Sequence, residues 1–307
     1  MLSYTLRRVV SALPVIFIAV AVSFFIMRLA PGGPFDRGRT LPPEVMKNVL
    51  AHYNLDLPIY QQFWLYLVGL VHGDLGPSMA FYDFTVTQLL LLGLPFTLTL
   101  GFMAFLLAIA VGVSSGIFAA LHHNRLPDVV LVLVVMLGVI VPNFLMGALL
   151  QLIFGVWLKW LPAGGWSSSN PLSLVMPVVV LAWPQAARIS RLMRGSMIEV
   201  LGTNYIRTAR SKGIGERLVV VRHALKPALL PVVSYLGPGL AYLLTGSLVV
   251  EQIFGLPGIG KYFITAALDR DYGLVLGTTI VYMAVILLLN LVVDVVYAWL
   301  DPKVRYR

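Results

Sequence analysis

The chain has 307 residues, of which 59% are hydrophobic and only 11% are charged, and its mean hydropathy is +0.89. Water-soluble domains carry about a quarter charged residues, so this composition excludes a soluble globular protein and indicates an integral membrane protein. The formal net charge of +9 does not indicate nucleic acid as a partner, because basic residues in a membrane protein mainly mark its cytoplasmic loops. The chain has no cysteine, which excludes disulfides and thiol chemistry.

Six stretches are long and apolar enough to cross a membrane, which takes roughly 20 residues per helix. No polar linker divides them, so the sequence predicts one polytopic domain over residues 1–307. We expect the fourth span to continue past Arg188, whose side chain would reach the headgroup region. A cleavable signal peptide is the alternative for the first span, but its apolar run is too long for one. The predicted spans are 9–29, 94–121, 129–157, 172–187, 228–250 and 274–300.

The distribution of Lys and Arg predicts the orientation. With six spans both termini lie on one side, which holds 15 of the 22 basic residues and leaves 7 on the other. The positive-inside rule therefore places both termini in the cytoplasm and exports the segment 30–93. That segment contains two helix-like pieces, residues 42–55 and 58–73, and the second is amphipathic enough to lie on the outer membrane surface.

A basic stretch follows the fourth span, and residues 188–226 hold nine of the 22 Lys and Arg residues. Burying nine charges at about 2.5 to 3.5 kcal/mol each would cost tens of kcal/mol, so we expect residues 188–227 to form a cytoplasmic loop. Three interpretations fit the pattern. The loop is a helical segment that merely obeys the positive-inside rule, a basic segment lying on anionic lipid, or a docking element for a cytoplasmic partner.

The same stretch predicts a helix, a glycine turn and a second helix. Lys212 followed by Gly213 is typical of a helix end, because glycine adopts positive φ without strain. Glu216 suits the first turn of a second helix that runs to about His223, and we expect Pro227 to break it before the fifth span. An apolar stripe at helical spacing precedes the turn and consists of Leu201, Tyr205, Ile206 and Ala209.

The stretch "YIRTARSKG" followed by "RHALKPALLP" resembles the coupling loop of ABC importer permeases, whose signature is E-A-A-x-x-x-G. Gly213 matches the signature glycine, Thr208 and Ala209 fall on the two alanine positions, and Arg207 replaces the glutamate. The resemblance extends over the whole chain and is closest to the first permease subunit of oligopeptide importers. It includes "LRR", "PPEVM", "HGDLGPS", "RGSMIEVL", "EQIFGLPGIG", "DRDYGLVLG" and "VDVVYAWLDPKVRY".

This resemblance implies an all-α integral membrane protein with six transmembrane helices and the type I ABC importer permease architecture, in a bacterial inner membrane. It implies half of a peptide pathway rather than an enzyme. The implied partners are a second homologous permease, two cytoplasmic ABC ATPases, an extracytoplasmic peptide-binding protein and the peptides themselves. No cofactor is expected on this chain, because ATP and Mg²⁺ bind to the ATPases.

The resemblance also assigns coupling to the ATPases to the helix–turn–helix, where we expect Ala209 to pack against a partner. The expected coupling residues are Tyr205, Ile206, Arg207, Thr208, Ala209, Arg210, Ser211, Lys212, Gly213, Arg217, Arg222 and His223.

The fifth span and the turn after it are the expected pathway and gate. The segment "GPGLAYLLTGS" offers small residues and hydroxyls suited to a lumen, and the Gly/Pro pattern before Lys261 predicts a tight re-entrant turn. The nearby "GLPGIGKY" is not a nucleotide-binding loop, because Tyr262 stands where Ser or Thr would hold Mg²⁺. The expected pathway and gate residues are Tyr235, Tyr242, Thr245, Ser247, Glu251, Gly255, Pro257 and Gly258.

Asp294 is the one acid deep in an apolar run, with Asn290 on the same helical face. It is either a packing group, which we favour, or a proton or cation site. The second reading would suit a secondary transporter, and a membrane scaffold without transport is a further alternative. Within the ABC reading the cargo could instead be dipeptides, glutathione, nickel chelates or peptide-like antibiotics. The scattered histidines predict no metal site, and no catalytic group is expected.

Overall fold

The computed structural model describes residues 2–29, 33–35, 42–167 and 169–300, without the side chains of 2–9, 12, 43 and 294–300. Within these ranges the chain is helical, and its one extended pairing is an isolated antiparallel bridge between Pro77 and Thr85. The helices are α1 (Leu2–Leu29), α2 (Pro43–His52), α3 (Ile59–Val71), α4 (Val86–Leu121), α5 (Leu126–Ile140), α6 (Asn143–Leu150), α7 (Val175–Leu201), α8 (Asn204–Ser211), α9 (Glu216–Leu218), α10 (Leu225–Ala228), α11 (Leu230–Phe254), α12 (Ile259–Asp269) and α13 (Tyr272–Leu300). Two π-helices, Gln151–Trp157 and Val219–Ala224, and a 3₁₀ turn, Pro171–Leu174, complete the set.

The chain divides into two compact units. Unit 1 comprises Met1–Thr97 and Pro257–Leu288, and unit 2 comprises Leu98–Leu256 and Leu289–Arg307. The two helices predicted in the segment 30–93 are confirmed as α2 and α3 of unit 1. The outward side of α3 exposes Tyr60, Trp64 and Val71 by 69%, 66% and 85%, which fits a helix lying against an apolar phase.

Four helical segments are long and apolar enough to span a membrane: Val86–Leu121, Pro171–Leu201, Leu230–Phe254 and Tyr272–Val293. They coincide with four of the predicted spans. The segment Pro171–Leu201 runs well past Arg188, as expected. The first predicted span lies in α1, whose apolar stretch Leu13–Leu29 is shorter than these four, so its role as a span stays a prediction.

The predicted span 129–157 is not one straight helix. It consists of α5 and a second piece, Asn143–Trp157, and the two are bent by 106°. Val141 is extended, with φ −82° and ψ 120°, and the next residue is Pro142. A residue before proline is driven out of the helical region by the proline ring, which explains the break. These pieces make one further crossing only if the bent pair acts as a single span.

In unit 2, α4 and α7 approach each other closely at two glycines spaced four residues apart. A Cβ at Gly112 would lie 2.7 Å from the Cβ of Ile189, and one at Gly116 would lie 2.6 Å from the Cβ of Met193. Small residues at this spacing let helix backbones meet in a membrane, where packing rather than the hydrophobic effect holds helices together. Most of α7 is consequently buried within the unit.

In unit 1, a buried carboxylate connects the loop around residues 78–80 to the start of α13. Asp271 Oδ2 accepts hydrogen bonds from Ser78 Oγ at 2.6 Å, Met79 N at 2.8 Å and Ala80 N at 3.0 Å. Its Oδ1 accepts from Leu274 N at 2.9 Å, which caps the helix. Asp271 is fully buried, so its charge is stabilised by these donors instead of by water.

Replacing Asp271 with Ala should free the loop around residues 78–80. The change leaves several buried donors without an acceptor, at a cost of about 3 kcal/mol. We expect a lower melting temperature in detergent and faster proteolysis between residues 75 and 84. Ser78→Ala is the milder comparison, since it removes one of the four bonds and should cost about 1 kcal/mol. Unchanged cleavage of this loop in Asp271→Ala would contradict the assignment.

Candidate functional site

The predicted glycine turn between two helices is confirmed. At the end of α8, Ile214 N donates to Ala209 O at 3.3 Å and Gly213 N donates to Arg210 O at 2.9 Å. These two bonds form a Schellman motif, which requires a left-handed residue, and Gly213 has a φ of +77°. The turn therefore has one defined geometry and holds α8 at a fixed position against the helix that follows.

The inner face of α8 packs within this chain. Ile206 is completely buried and Ala209 is 7% exposed. They lie three residues apart on one helical face, and α8 packs against the π-helix Val219–Ala224. The small side chain of Ala209 therefore suits the close approach of the two arms of the helix–turn–helix, and its contact with a partner stays a prediction.

The outer face of the helix–turn–helix carries apolar and basic groups together. Three apolar side chains are exposed, namely Tyr205 by 48%, Leu218 by 56% and Val221 by 58%. They stand among charged and hydroxyl residues on an element too basic to enter hydrocarbon, so lipid tails do not explain their exposure. His223 is half-buried, and the remaining expected coupling residues are exposed: Arg207, Thr208, Arg210, Ser211, Lys212, Gly213, Arg217 and Arg222.

An ion pair bridges the glycine turn. Arg210 donates from Nη2 to Glu216 Oε1 at 2.6 Å and from Nε to Glu216 Oε2 at 3.0 Å. This hydrogen bonding lowers the pKa of the Glu216 carboxyl and raises the pKa of Arg210. Because both groups are solvent-exposed, the pair orients the turn more than it stabilises it, and this contribution is lost as pH falls through the lowered pKa of Glu216.

The second arm differs from the prediction. Pro227 does not break it: the helical run continues from α9 through the π-helix Val219–Ala224 into α10, which contains Pro227. The wider π-turns directly before the proline give its ring room beside the preceding carbonyls. The run ends one turn later, at Leu229, and Pro231 occupies the first turn of α11.

A buried ion pair anchors the stem of the first arm. Asp128, 2% exposed, accepts hydrogen bonds from Arg194 Nε at 2.7 Å and Arg194 Nη2 at 2.6 Å. Asn124 N also donates to this carboxylate, and His123 Nδ1 lies 3.6 Å from it. Such bidentate geometry fixes direction as well as distance. The pair therefore connects α7, at a point ten residues before α8 begins, to the start of α5.

A second polar cluster lies between α7 and α11. Arg188 Nη1 donates to the Tyr235 hydroxyl at 3.3 Å, and this hydroxyl donates to Gln185 Oε1 at 2.6 Å. The Arg188 guanidinium also stands 4.5 Å from the centre of the Tyr242 ring, within cation–π distance. The structure thus joins two expected pathway residues, Tyr235 and Tyr242, through Gln185 and Arg188.

The other expected pathway residues of α11 take different positions. Thr245 is exposed but donates to carbonyls of its own helix, Ala241 and Tyr242. Ser247 is fully buried and donates to Leu244 O, so its hydroxyl faces its own backbone instead of a lumen. Glu251 is likewise fully buried.

The turn predicted after α11 is present as a glycine turn, and its re-entrant position in a membrane stays a prediction. Gly255, at φ +65°, ends α11 by a second Schellman motif, in which Leu256 N donates to Glu251 O at 2.8 Å. Within unit 2 this end is held by Gly165 N, which donates to Phe254 O at 2.7 Å. Gln151 Nε2 adds a bond to Ile253 O at 3.1 Å.

On the unit 1 side, this turn leads directly into α12. Pro257 is exposed, and Gly258 is buried as the residue before α12. The first amide of the helix, Ile259 N, donates to the buried hydroxyl of Thr97 at 3.0 Å. Pro257 and Gly258 are thus placed in a short, fully supported turn, and their role as a gate stays a prediction.

The remaining expectations concern Asp294 with its neighbour Asn290, and metal binding. Asn290 Oδ1 lies 3.2 Å from the position of a Cβ at Gly237, where it fills a helix contact. The side chain of Asp294 lies outside the described residues, so its packing role stays a prediction. Among the described residues no three His, Asp or Glu side chains come together as a metal site.

Helical membrane segments joined by a structured basic helix–turn–helix define the membrane subunit of a transporter. Residues 112–306 match the family described as the binding-protein-dependent transport system inner membrane component, and residues 1–100 match the N-terminal family of such membrane components. The chain belongs to this family.

Individual relatives agree with this assignment. Over the full length of both chains, the protein is 48% identical to the oligopeptide transport system permease protein OppB of Haemophilus influenzae and 50% identical to OppB of Escherichia coli. A solved inward-facing structure of the MetNI methionine ABC transporter superposes with a TM-score of 0.59 at 16% identity. The superposition covers 70% of this chain and 97% of the MetNI chain, and it shows that this chain has an ABC importer permease fold.

The need for glycine at position 213 can be tested by substitution, and Gly215, two residues away, serves as the control. Gly213→Val should cost roughly 2 kcal/mol, because a β-branched residue is strained at positive φ although no atom blocks the side chain. Gly215 has an ordinary φ of −60° and equally open surroundings, so Gly215→Ala should be neutral or slightly stabilising.

The measurement is proteolysis of the segment 203–229 in the purified chain, together with its melting temperature. Gly213→Val should be cut faster while the membrane helices stay protected, and Gly215→Ala should match the unmodified protein. Equal tolerance of both substitutions would show that the turn does not need a left-handed residue.

Proposed function

We propose that this chain is a permease subunit of an ATP-driven importer of oligopeptides in a bacterial inner membrane. It forms half of the pathway with a second, homologous permease. Two cytoplasmic ATPases supply ATP and Mg²⁺, and an extracytoplasmic binding protein delivers the peptide. The names of its full-length relatives support the cargo, and the exposed apolar face of the basic helix–turn–helix supports the coupling.

The orientation is part of the proposal. With 15 of 22 basic residues on the terminus side, both termini and the helix–turn–helix face the cytoplasm. The segment 30–93 then faces the binding protein.

The docking surface consists of the exposed side chains Tyr205, Leu218 and Val221, and exposed arginines lie on the same two arms. Large apolar side chains with a basic rim are complementary to an apolar groove with an acidic rim on the ATPase. Because both arms of the element continue into membrane helices, a displacement of the docking surface moves α7 and α11. Nucleotide-driven closure of the ATPases would thereby switch the cavity between its inward-open and outward-open states.

The test is reconstitution with the partner subunits and a peptide-loaded binding protein. We expect ATP-dependent uptake and peptide-stimulated ATP hydrolysis. The triple variant Tyr205→Ala, Leu218→Ser, Val221→Ser should lose ATPase co-purification by about tenfold or more, since central apolar contacts dominate interface energies. Leu268→Ser is the matched control: Leu268 is 66% exposed on α12, which is not part of the helix–turn–helix, and should be silent.

The alternatives give different results. If the basic loop merely lies on anionic lipid, the triple variant transports normally, and neutralising Arg207, Arg210 and Lys212 together is the harmful change. A secondary transporter takes up cargo without the ATPases and stops when the proton gradient collapses. Stimulation by dipeptides, glutathione, a nickel chelate or a peptide-like antibiotic, but not by oligopeptides, would correct the cargo.

A further inference from the structure

Arg188 lies in the long apolar segment Pro171–Leu201 and has no acidic partner among the described residues. It lies half-buried on α7 and is held by the Tyr235 hydroxyl and the Tyr242 ring. Six residues further along the same helix, Arg194 is neutralised by the bidentate Asp128 carboxylate. One helix thus carries an arginine paired with a carboxylate and an arginine with no acidic partner among the described side chains, and a charge of this kind on an apolar helix points to function.

This cluster has more hydrogen-bond donors than acceptors. A guanidinium offers five N–H donors, and the hydrogen-bonding partners of Arg188 are the hydroxyls of Tyr235 and Tyr242, which leaves several donors over. The Tyr235 hydroxyl gives its proton to Gln185 Oε1, so the acceptor of Gln185 is also used. Gln185 is 1% exposed, and its Nε2 has no hydrogen-bond partner within the described structure. The groups left over are donors, and a buried donor without an acceptor costs stability.

The complement of such a cluster is a planar anionic acceptor. A carboxylate fits the guanidinium fork and has further lone pairs for the Gln185 amide. A cationic group would be repelled by Arg188, and a purely apolar group would leave the donors unpaired. The two tyrosine rings add an apolar wall beside the charge, as transport sites for amphipathic molecules require.

We propose that Arg188, Gln185, Tyr235 and Tyr242 form a station in the pathway that binds the carboxylate of the peptide cargo. The assignment rests on the proposed function and adds to it the residues that contact the cargo. Every unmodified peptide carries a terminal carboxylate whatever its sequence. One arginine can therefore serve many peptides without selecting among side chains.

The test compares two cargoes in the complete reconstituted assembly: trialanine with a free carboxylate and trialanine with a C-terminal amide. The affinity of the binding protein for each is measured separately, so that its own preference can be divided out. Arg188→Gln should lower kcat/KM for import of the free acid by about tenfold or more, since a site built for a charged group discriminates strongly. Import of the amide should change by less than about twofold, because the amide never used the charge.

Two further variants make the result specific. Arg188→Lys keeps the charge but loses the fork, so it should retain part of the preference for the acid. Arg191→Gln is the matched control, since Arg191 lies one turn away, is exposed, and contacts only the Met136 sulfur through a polar atom. It should leave both cargoes unaffected, and co-purification with the partners checks that every variant assembles.

The outcomes separate the two levels of the proposal. A loss confined to the free acid supports the carboxylate station. Equal losses for acid and amide would make the cluster structural, and no loss would remove it from the pathway; either result overturns the assignment while leaving the importer intact. If the unmodified assembly imports neither peptide, the proposed function itself fails, and the station fails with it.

Discussion

The organisation of unit 2 depends on one electrostatic constraint. The nine basic residues of 188–226 cannot all be placed in hydrocarbon, because each charge would cost a few kcal/mol at the bilayer centre. Yet three of them lie in the last turns of α7 and six stand between α7 and α11, two helices that are apolar enough to cross a membrane. The chain must therefore leave the membrane and return within about forty residues, and it does so as two short arms joined by a left-handed glycine. A flexible loop would satisfy the charge but could not transmit a displacement.

The constraint has a mechanical consequence, because both arms are built into packed helices. The first arm continues from α7, which α4 contacts through Gly112 and Gly116 and which Asp128 links to α5 through Arg194. The second arm runs through a π-helix and α10 almost directly into α11. Breaking a buried ion pair by removing one partner costs several kcal/mol, so the pair of Asp128 and Arg194 has one strongly favoured arrangement. Movement at the docking surface is then carried by helices rather than absorbed in loops.

Much of this could be predicted from the sequence where a residue has a single strong conformational preference. Gly213 after Lys212 indicated a helix end, and the Gly/Pro pattern after α11 indicated a turn, because left-handed backbone favours glycine. Proline accounts for two differences between the predicted and the observed helices. Pro227 is accommodated by a π-helix, which no local pattern indicates, while Pro142 breaks an apolar run that hydropathy alone treats as one span.

The contacts between helices could not be predicted from the sequence. The small side chain of Ala209 suits a contact within the chain or a contact with a partner, and only its burial in the structure shows the first of these. Arg188 was expected to reach headgroups, since nothing local shows that Tyr235 and Tyr242, some fifty residues away, surround it. Ser247 shares the spacing of a lumen residue, yet its hydroxyl bonds to its own helix. The three-residue spacing of Arg188, Arg191 and Arg194, directly after the predicted span 172–187, was the one available signal, because a charged stripe on the continuation of a membrane helix calls for partners.

The central claim, that the helix–turn–helix is a cytoplasmic joint for an ATPase, is tested most directly by thiol labelling. The chain has no cysteine, so a single cysteine reports its own site. Thr208 and Asp56 are both exposed, on α8 and in the exported segment. With an impermeant reagent, Asp56→Cys should react in intact cells, whereas Thr208→Cys should react only in inverted vesicles and about tenfold more slowly once the ATPases are bound. Reaction of Thr208→Cys in intact cells, or an unchanged rate with the ATPases present, would contradict the account.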